Sequence, residues 1–230
     1  VTTVLASLRG GLIVSVQAYA DSVLDTPETI ALLALCAVRN GAVGVRIESA
    51  RRIAAVRSAV DVPIVGIVKR VHPGFEPYIT STPGEIAEVA EAGATIVAFD
   101  ATDRPRPGGL GVRDLVVAAH AAGLLAMADC ATEVEMLVAG RSGADIVATT
   151  LAGYTPETEG RALPAIDLVR AAAAAHPFVV CEGGIGNPDD ARRAFEAGAG
   201  AIVVGTAITN VDALVRRFAR STPGSGSKAN

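Results

Sequence analysis

Eight short apolar runs recur along the chain, each followed by a segment of helical period, and this alternation constrains the fold more than any other feature. The runs are LIVSVQ (12–17), VGVRI (43–47), IVGIVK (64–69), TIVAFD (95–100), LLAMAD (124–129), DIVATT (145–150), FVVCEG (178–183) and AIVVG (201–205). They are rich in Val and Ile and almost continuously apolar, as strands buried on both faces of a parallel sheet are. Helices are expected between them over 28–38, 51–59, 85–92, 112–122, 133–141, 165–175, 188–197 and 211–220. Gly41, Gly93, Gly123 and Gly198 stand where four of these should stop in a left-handed turn. Asn187-Pro188 pairs a cap with a first-turn proline.

Strict alternation leaves an open doubly wound sheet or a closed (β/α)8 barrel. The run ends at 17, 46, 69, 100, 129, 149, 182 and 205 are about 27 residues apart, a regularity that favours the barrel. No G-x-G-x-x-G follows the first run, so the dinucleotide fold lacks its marker. The expectation is a single TIM barrel over 1–220, with phosphate-binding loops after strands 7 and 8, and a disordered C-terminal tail over 221–230.

Composition narrows the class of function. Half of the 230 residues are hydrophobic, only 3% are aromatic and none is Trp, so the core must be aliphatic. A net charge of −4 gives no general attraction to nucleic acid. No apolar run reaches the roughly 20 residues of a membrane span, and GGLIVSVQAYA (10–20) reads as an early core strand rather than a signal segment. Cys36, Cys130 and Cys181, and His72, His120 and His176, are too scattered for a disulfide framework or a metal site. No metal and no cofactor is expected, and a reducing cytoplasm is the simplest compartment. A homodimer is compatible with the sequence.

In a barrel the active site lies at the carboxyl ends of the strands. The residues there are Gln17, Arg46, Lys69, Asp100, Asp129, Thr149, Glu182 and Gly205, seven of them polar or charged. Lys69 follows a buried-looking run, so desolvation and a neighbouring guanidinium such as Arg46 should weaken its hold on its proton. Such an amine is a Schiff-base nucleophile or a base. Glu182 leaves an equally apolar strand, which favours its protonated form. Together they suit proton transfer at a carbon beside a carbonyl. Gly183, Gly184, Gly205 and Thr206, in the turns after strands 7 and 8, would offer backbone N–H groups to a phosphate. DATDRPRP (100–107) reads as a solvated charged loop or a stiff flap, and TLAGYT (150–155) should bring Tyr154 and Thr155 to the same rim.

GGLIVSVQA, GAVGVRIES, VPIVGIVKR, AGATIVAFDATDRPRP, LLAMADCAT, GADIVATTLAGYT, EGGIGNP and VVGTAIT occur together and in this order. In them the chain, over about residues 8 to 210, closely resembles the N-acetylmannosamine-6-phosphate 2-epimerases. The resemblance implies a cofactor-independent cytoplasmic enzyme of sialic acid and amino-sugar breakdown, with a sugar phosphate as its small-molecule partner. By position, Lys69 and Glu182 match the catalytic pair, and Gln17, Arg46 and Asp129 match sugar-contacting residues. Thr149 and Tyr154 are further expected contacts. The chain departs from its relatives at Gly184, where they often carry a long, frequently basic residue, and at Asn210, where they often carry Arg. Backbone amides, or an arginine such as Arg70, would then have to serve the phosphate. An unphosphorylated N-acetylhexosamine stays open as a substrate, as do a Schiff-base lyase and a non-catalytic sugar-phosphate sensor on the same barrel.

Overall fold

The computed structural model describes residues 2–223. Eight strands, β1 (Gly11–Val16), β2 (Gly44–Glu48), β3 (Ile64–Ile67), β4 (Ile96–Asp100), β5 (Leu125–Asp129), β6 (Ile146–Ala148), β7 (Val179–Glu182) and β8 (Ala201–Val204), close into one barrel. Every neighbouring pair is parallel, including β1 with β8. Among the described residues ten α-helices accompany them: α1 (Thr2–Leu8), α2 (Pro27–Arg39), α3 (Ala50–Arg57), α4 (Pro83–Glu91), α5 (Val112–Ala121), α6 (Glu133–Arg141), α7 (Ile166–Ala173), α8 (Pro188–Glu196), α9 (Thr206–Thr209) and α10 (Val211–Ala219). The expected TIM barrel is therefore the fold, and all eight expected helices are present within a few residues of their expected limits. Of the expected tail over 221–230, residues 224–230 lie outside the described residues. No helix among the described residues is long and apolar enough to cross a membrane.

Local chemistry explains the helix limits. Thr82 caps α4 and Thr132 caps α6, each with a Glu three residues on closing a capping box, and Asn187 caps α8 ahead of Pro188. The four helix-ending glycines adopt the expected left-handed turn, with φ between 77° and 104°.

The strands alternate with period two, and this sorts the side chains into two cores. One set packs outward against the helices, as Ile47, Phe99 and Cys181 do. The other fills the barrel, with Ile13, Val65, Ile67, Met127 and Val180 among its members. Two features were not anticipated. Helix α1, a segment given no expected structure, contributes Val4, Leu5 and the wholly buried Leu8 to the inner core. It packs against the inner core at the amino-terminal end of the barrel, opposite the cavity at the carboxyl ends. Strand β3 also stops early, and the chain after it folds back on itself. Lys69 makes an antiparallel bridge with Ile79, Arg70 N donates to Tyr78 O, and Thr80 N donates to Val68 O at 2.8 Å. That return places Tyr78 and Ile79 in the wall of the cavity.

Leu8→Ala should destabilise the protein by about 2–5 kcal/mol, because the inner core cannot collapse around the lost volume. Urea unfolding measures the loss, and kcat/KM of the folded variant should stay within about twofold because α1 lies opposite the cavity mouth. A fall in kcat/KM comparable to the stability loss would contradict this role for α1.

Candidate active site

A cavity of about 550 Å3 opens at the carboxyl ends of the strands. Its walls include Gln17, Arg46, Lys69, Tyr154, Glu182, Gly183, Gly184, Gly205 and Thr206, so nine of the eleven expected site residues meet in one place. The same period-two alternation that fills the barrel delivers them. Lys69 continues Val65 and Ile67; Asp129 continues Leu125 and Met127; Glu182 continues Phe178 and Val180. Each polar residue is the next inward step after two apolar ones.

Arg46 lies at the bottom, 1% exposed. Its two terminal nitrogens grip Asp129 in a forked pair, Nη1 to Oδ1 at 3.1 Å and Nη2 to Oδ2 at 2.6 Å, and Nη1 also donates to Glu182 Oε2 at 2.8 Å. Burial by itself disfavours the cation, but Asp129 and then Glu182 outweigh it, so Arg46 stays charged. Its Nε, also buried, has no acceptor. The Thr150 hydroxyl is within reach of both carboxyls, at 2.6 Å from Asp129 Oδ1 and 3.1 Å from Glu182 Oε2.

One arginine thus faces two carboxyls in a place nearly shut off from water. Burial, opposed by Arg46 and reinforced by Asp129, pushes the Glu182 carboxyl up to about 7. Burial, and then repulsion from Arg46, lowers the Lys69 amine below its ordinary value, while Glu48 and Glu182 hold it up. Both shifts run as the strand-end reading expects. They bring an amine and a carboxyl toward neutrality on the walls of one cavity.

Two expected contacts sit elsewhere. Asp129 is wholly buried beneath Arg46 and does not line the cavity, so its part is to hold the guanidinium. Thr149 is wholly buried too, and its hydroxyl is spent on the main chain of Glu182, accepting from N at 3.0 Å and donating to O at 2.9 Å. Its neighbour Thr150 takes the place in the wall. Alternation through Ile146 and Ala148 points to residue 150 rather than 149, a signal that reading only the last polar residue of the run passes over. Arg70 turns away to a forked pair with Glu88, at 2.9 and 3.0 Å, and is not in the wall. Loop 100–107 does not line the cavity, and of its charged side chains only Asp103 is exposed. Asp100 binds Thr102 and Arg104, while Arg106, 4% exposed, donates to Asp100 O. Sequence reading also missed Ser15, Tyr78 and Arg217. Ser15 was legible, since it sits two residues inward of Gln17 and accepts from its amide at 2.8 Å. Tyr78 and Arg217 lie on a returning loop and a late helix, where strand-end reasoning gives no signal.

Glu182→Gln should stabilise the protein, and the gain should grow with pH. The folded carboxyl is raised from 4.5 to about 7, so its contribution is intact in acid and is lost as pH rises through about 7. The gain at pH 8 should approach, at most, roughly 3 kcal/mol over that at pH 4.5. Thermal unfolding across this range checks the sign, and an advantage that shrinks toward alkaline pH contradicts the burial of Glu182.

Comparison with known proteins places the chain in a family. A family model, NanE, described as "Putative N-acetylmannosamine-6-phosphate epimerase", matches residues 30–223. Proteins named "Putative N-acetylmannosamine-6-phosphate 2-epimerase" from Synechococcus elongatus and from Escherichia coli O9:H4 are each 45% identical to the chain. The first aligns over 218 residues, 93% of this chain and 94% of the relative; the second over 211, 91% and 90%. The solved N-acetylmannosamine-6-phosphate 2-epimerase from Clostridium perfringens superposes with a TM-score of 0.91 at 36% identity, covering 95% of this chain and 96% of that one. The chain belongs to the NanE family.

Proposed function

We propose that this chain inverts C2 of an N-acetylated hexosamine 6-phosphate, interconverting N-acetylmannosamine 6-phosphate and N-acetylglucosamine 6-phosphate without a cofactor. The observation that carries the reading is the pair Lys69 and Glu182, a weakened base and a strengthened acid on one cavity. Membership of the NanE family supports the substrate. The three unpaired cysteines suit a cytoplasmic role in amino-sugar breakdown.

In the open-chain sugar the C1 aldehyde acidifies the proton on C2. The Lys69 amine removes that proton, and the electron pair moves into the C1–C2 bond and onto the aldehyde oxygen as an enolate. The Gln17 side chain in the cavity wall supplies a donor for the developing charge, and the Arg46 guanidinium adds positive charge at the bottom. Glu182, protonated, returns a proton to C2 from the opposite face. Closure of the ring releases the epimer. The enzyme is left with a protonated amine and an ionised glutamate, the state in which the reverse reaction starts. Forward and reverse starting states therefore hold the same number of protons and differ only in where one sits. Thr150 and Arg46 bind the Glu182 carboxyl in both states, which keeps it in position through the exchange.

This fixes the pH dependence. The working enzyme carries one proton on the pair, so kcat/KM should rise as pH passes about 7 and fall again at an alkaline pH below the ordinary lysine value of 10.5. Both reaction directions should follow the same bell; limbs that differ between directions would contradict the shared proton. An NMR time course in deuterated water with N-acetylmannosamine 6-phosphate should show deuterium entering at C2 as the second sugar appears. Lys69→Met should lower kcat by at least about 10³-fold. Unchanged turnover in that variant, or trapping of a Lys69–sugar adduct by borohydride, would remove the proton-transfer mechanism.

A further inference from the structure

The cavity wall holds three cations, and two are committed. Arg46 is locked to Asp129 and Glu182, and Lys69 stands at the reacting end. The third is Arg217, in the last turn of α10. Helix α10 packs against α9, which begins at Thr206, so Arg217 joins the wall from the side of the glycine turns after β7 and β8. Ala213 and Leu214 of the same helix line the cavity beside it.

Arg217 is exposed, and among the described residues no carboxylate pairs with it. Its neighbours are otherwise occupied. Arg216 lies over the Tyr19 ring at 5.3 Å, and Arg193 pairs with Asp190. Among the described residues no further cation lines the cavity. A side chain at Gly184 is impossible as the chain stands, because φ there is +76° and a Cβ would lie 2.3 Å from Leu163 Cβ. Asn210 is neutral, and its Oδ1 accepts from Ala213 N to cap α10. Even the Gly186 N–H is taken, by Asp190 Oδ2 at 3.1 Å.

We propose that Arg217 is the specificity-determining residue for the phosphoryl group, gripping its oxygens while Lys69 and Glu182 work on C2. This rests on the reading of the cavity as a sugar-phosphate site. A planar guanidinium forks onto two phosphate oxygens, which the glycine turns by themselves do not do. The position also solves a local problem. With Leu163 filling the space above Gly184, no side chain can rise there, and α10 supplies the cation from beside the turns.

The test compares Arg217→Ala, Arg217→Lys and Arg216→Ala with the unaltered chain. Arg217→Ala should raise KM for N-acetylmannosamine 6-phosphate about 10- to 100-fold with kcat changed far less. Arg217→Lys should recover part of the loss, and Arg216→Ala, an equal loss of charge one residue away, should leave KM within about twofold. Binding of inorganic phosphate, followed by calorimetry, should be lost in Arg217→Ala and kept in Arg216→Ala. Equal phosphate binding by Arg217→Ala and the unaltered chain overturns the proposal, as does an equal loss in both alanine variants. If the unaltered chain binds phosphate through Arg217 yet exchanges no C2 proton, the anion site stands and the epimerase reading falls.

Discussion

The contact on which the site depends is the fork between Arg46 and Asp129, at 3.1 and 2.6 Å, at the bottom of the cavity. Taking an arginine out of water is costly, and removing its partner from such a pair typically costs about 3–5 kcal/mol. Asp129 makes the buried cation tolerable. Arg46 in turn holds the second carboxyl, Glu182, and repels the Lys69 ammonium. One buried cation thus holds the Glu182 carboxyl and lowers the proton affinity of the Lys69 amine. Burial, and after it the neighbouring Asp129, raise the Glu182 carboxyl to about 7 against the pull of Arg46.

The barrel makes this arrangement affordable. Apolar steps such as Val65 and Ile67, or Phe178 and Val180, fill the interior below the polar layer, and α1 packs against them at the amino-terminal end. The polar groups therefore meet above a dry core, at the end of the barrel where the cavity opens. The strain of an under-neutralised cluster is local, while stability comes from the layers around it. This is the usual trade between stability and activity, expressed here in a single glutamate.

Much of this was legible in the chain. Alternating apolar runs gave the strands, and their even spacing gave the closed barrel. The pairing of Lys69 with Glu182 followed from polar residues at the ends of buried runs. Two differences come from alternation. Residue 150, not 149, is the inward step after Ile146 and Ala148, and Arg70 faces the side opposite to Lys69 because adjacent strand residues do. The 100–107 loop looked like a flap because nothing local reveals that Asp100 folds its arginines back onto itself.

The sequence by itself determined the layers of the fold and the ends at which polar residues such as Lys69 and Glu182 emerge, because period and burial are properties of a few neighbouring residues. Only the tertiary structure decided what those residues do to one another. Arg46 reaches Asp129 across 83 positions of the chain and Glu182 across 136. A proton affinity is set by every charge within a few ångströms, and a cavity by every wall, so neither exists until the ring of strands has closed. Arg217 is the plainest case: it is an ordinary surface arginine in the chain, and the docking of α10 beside the glycine turns puts it in the cavity wall.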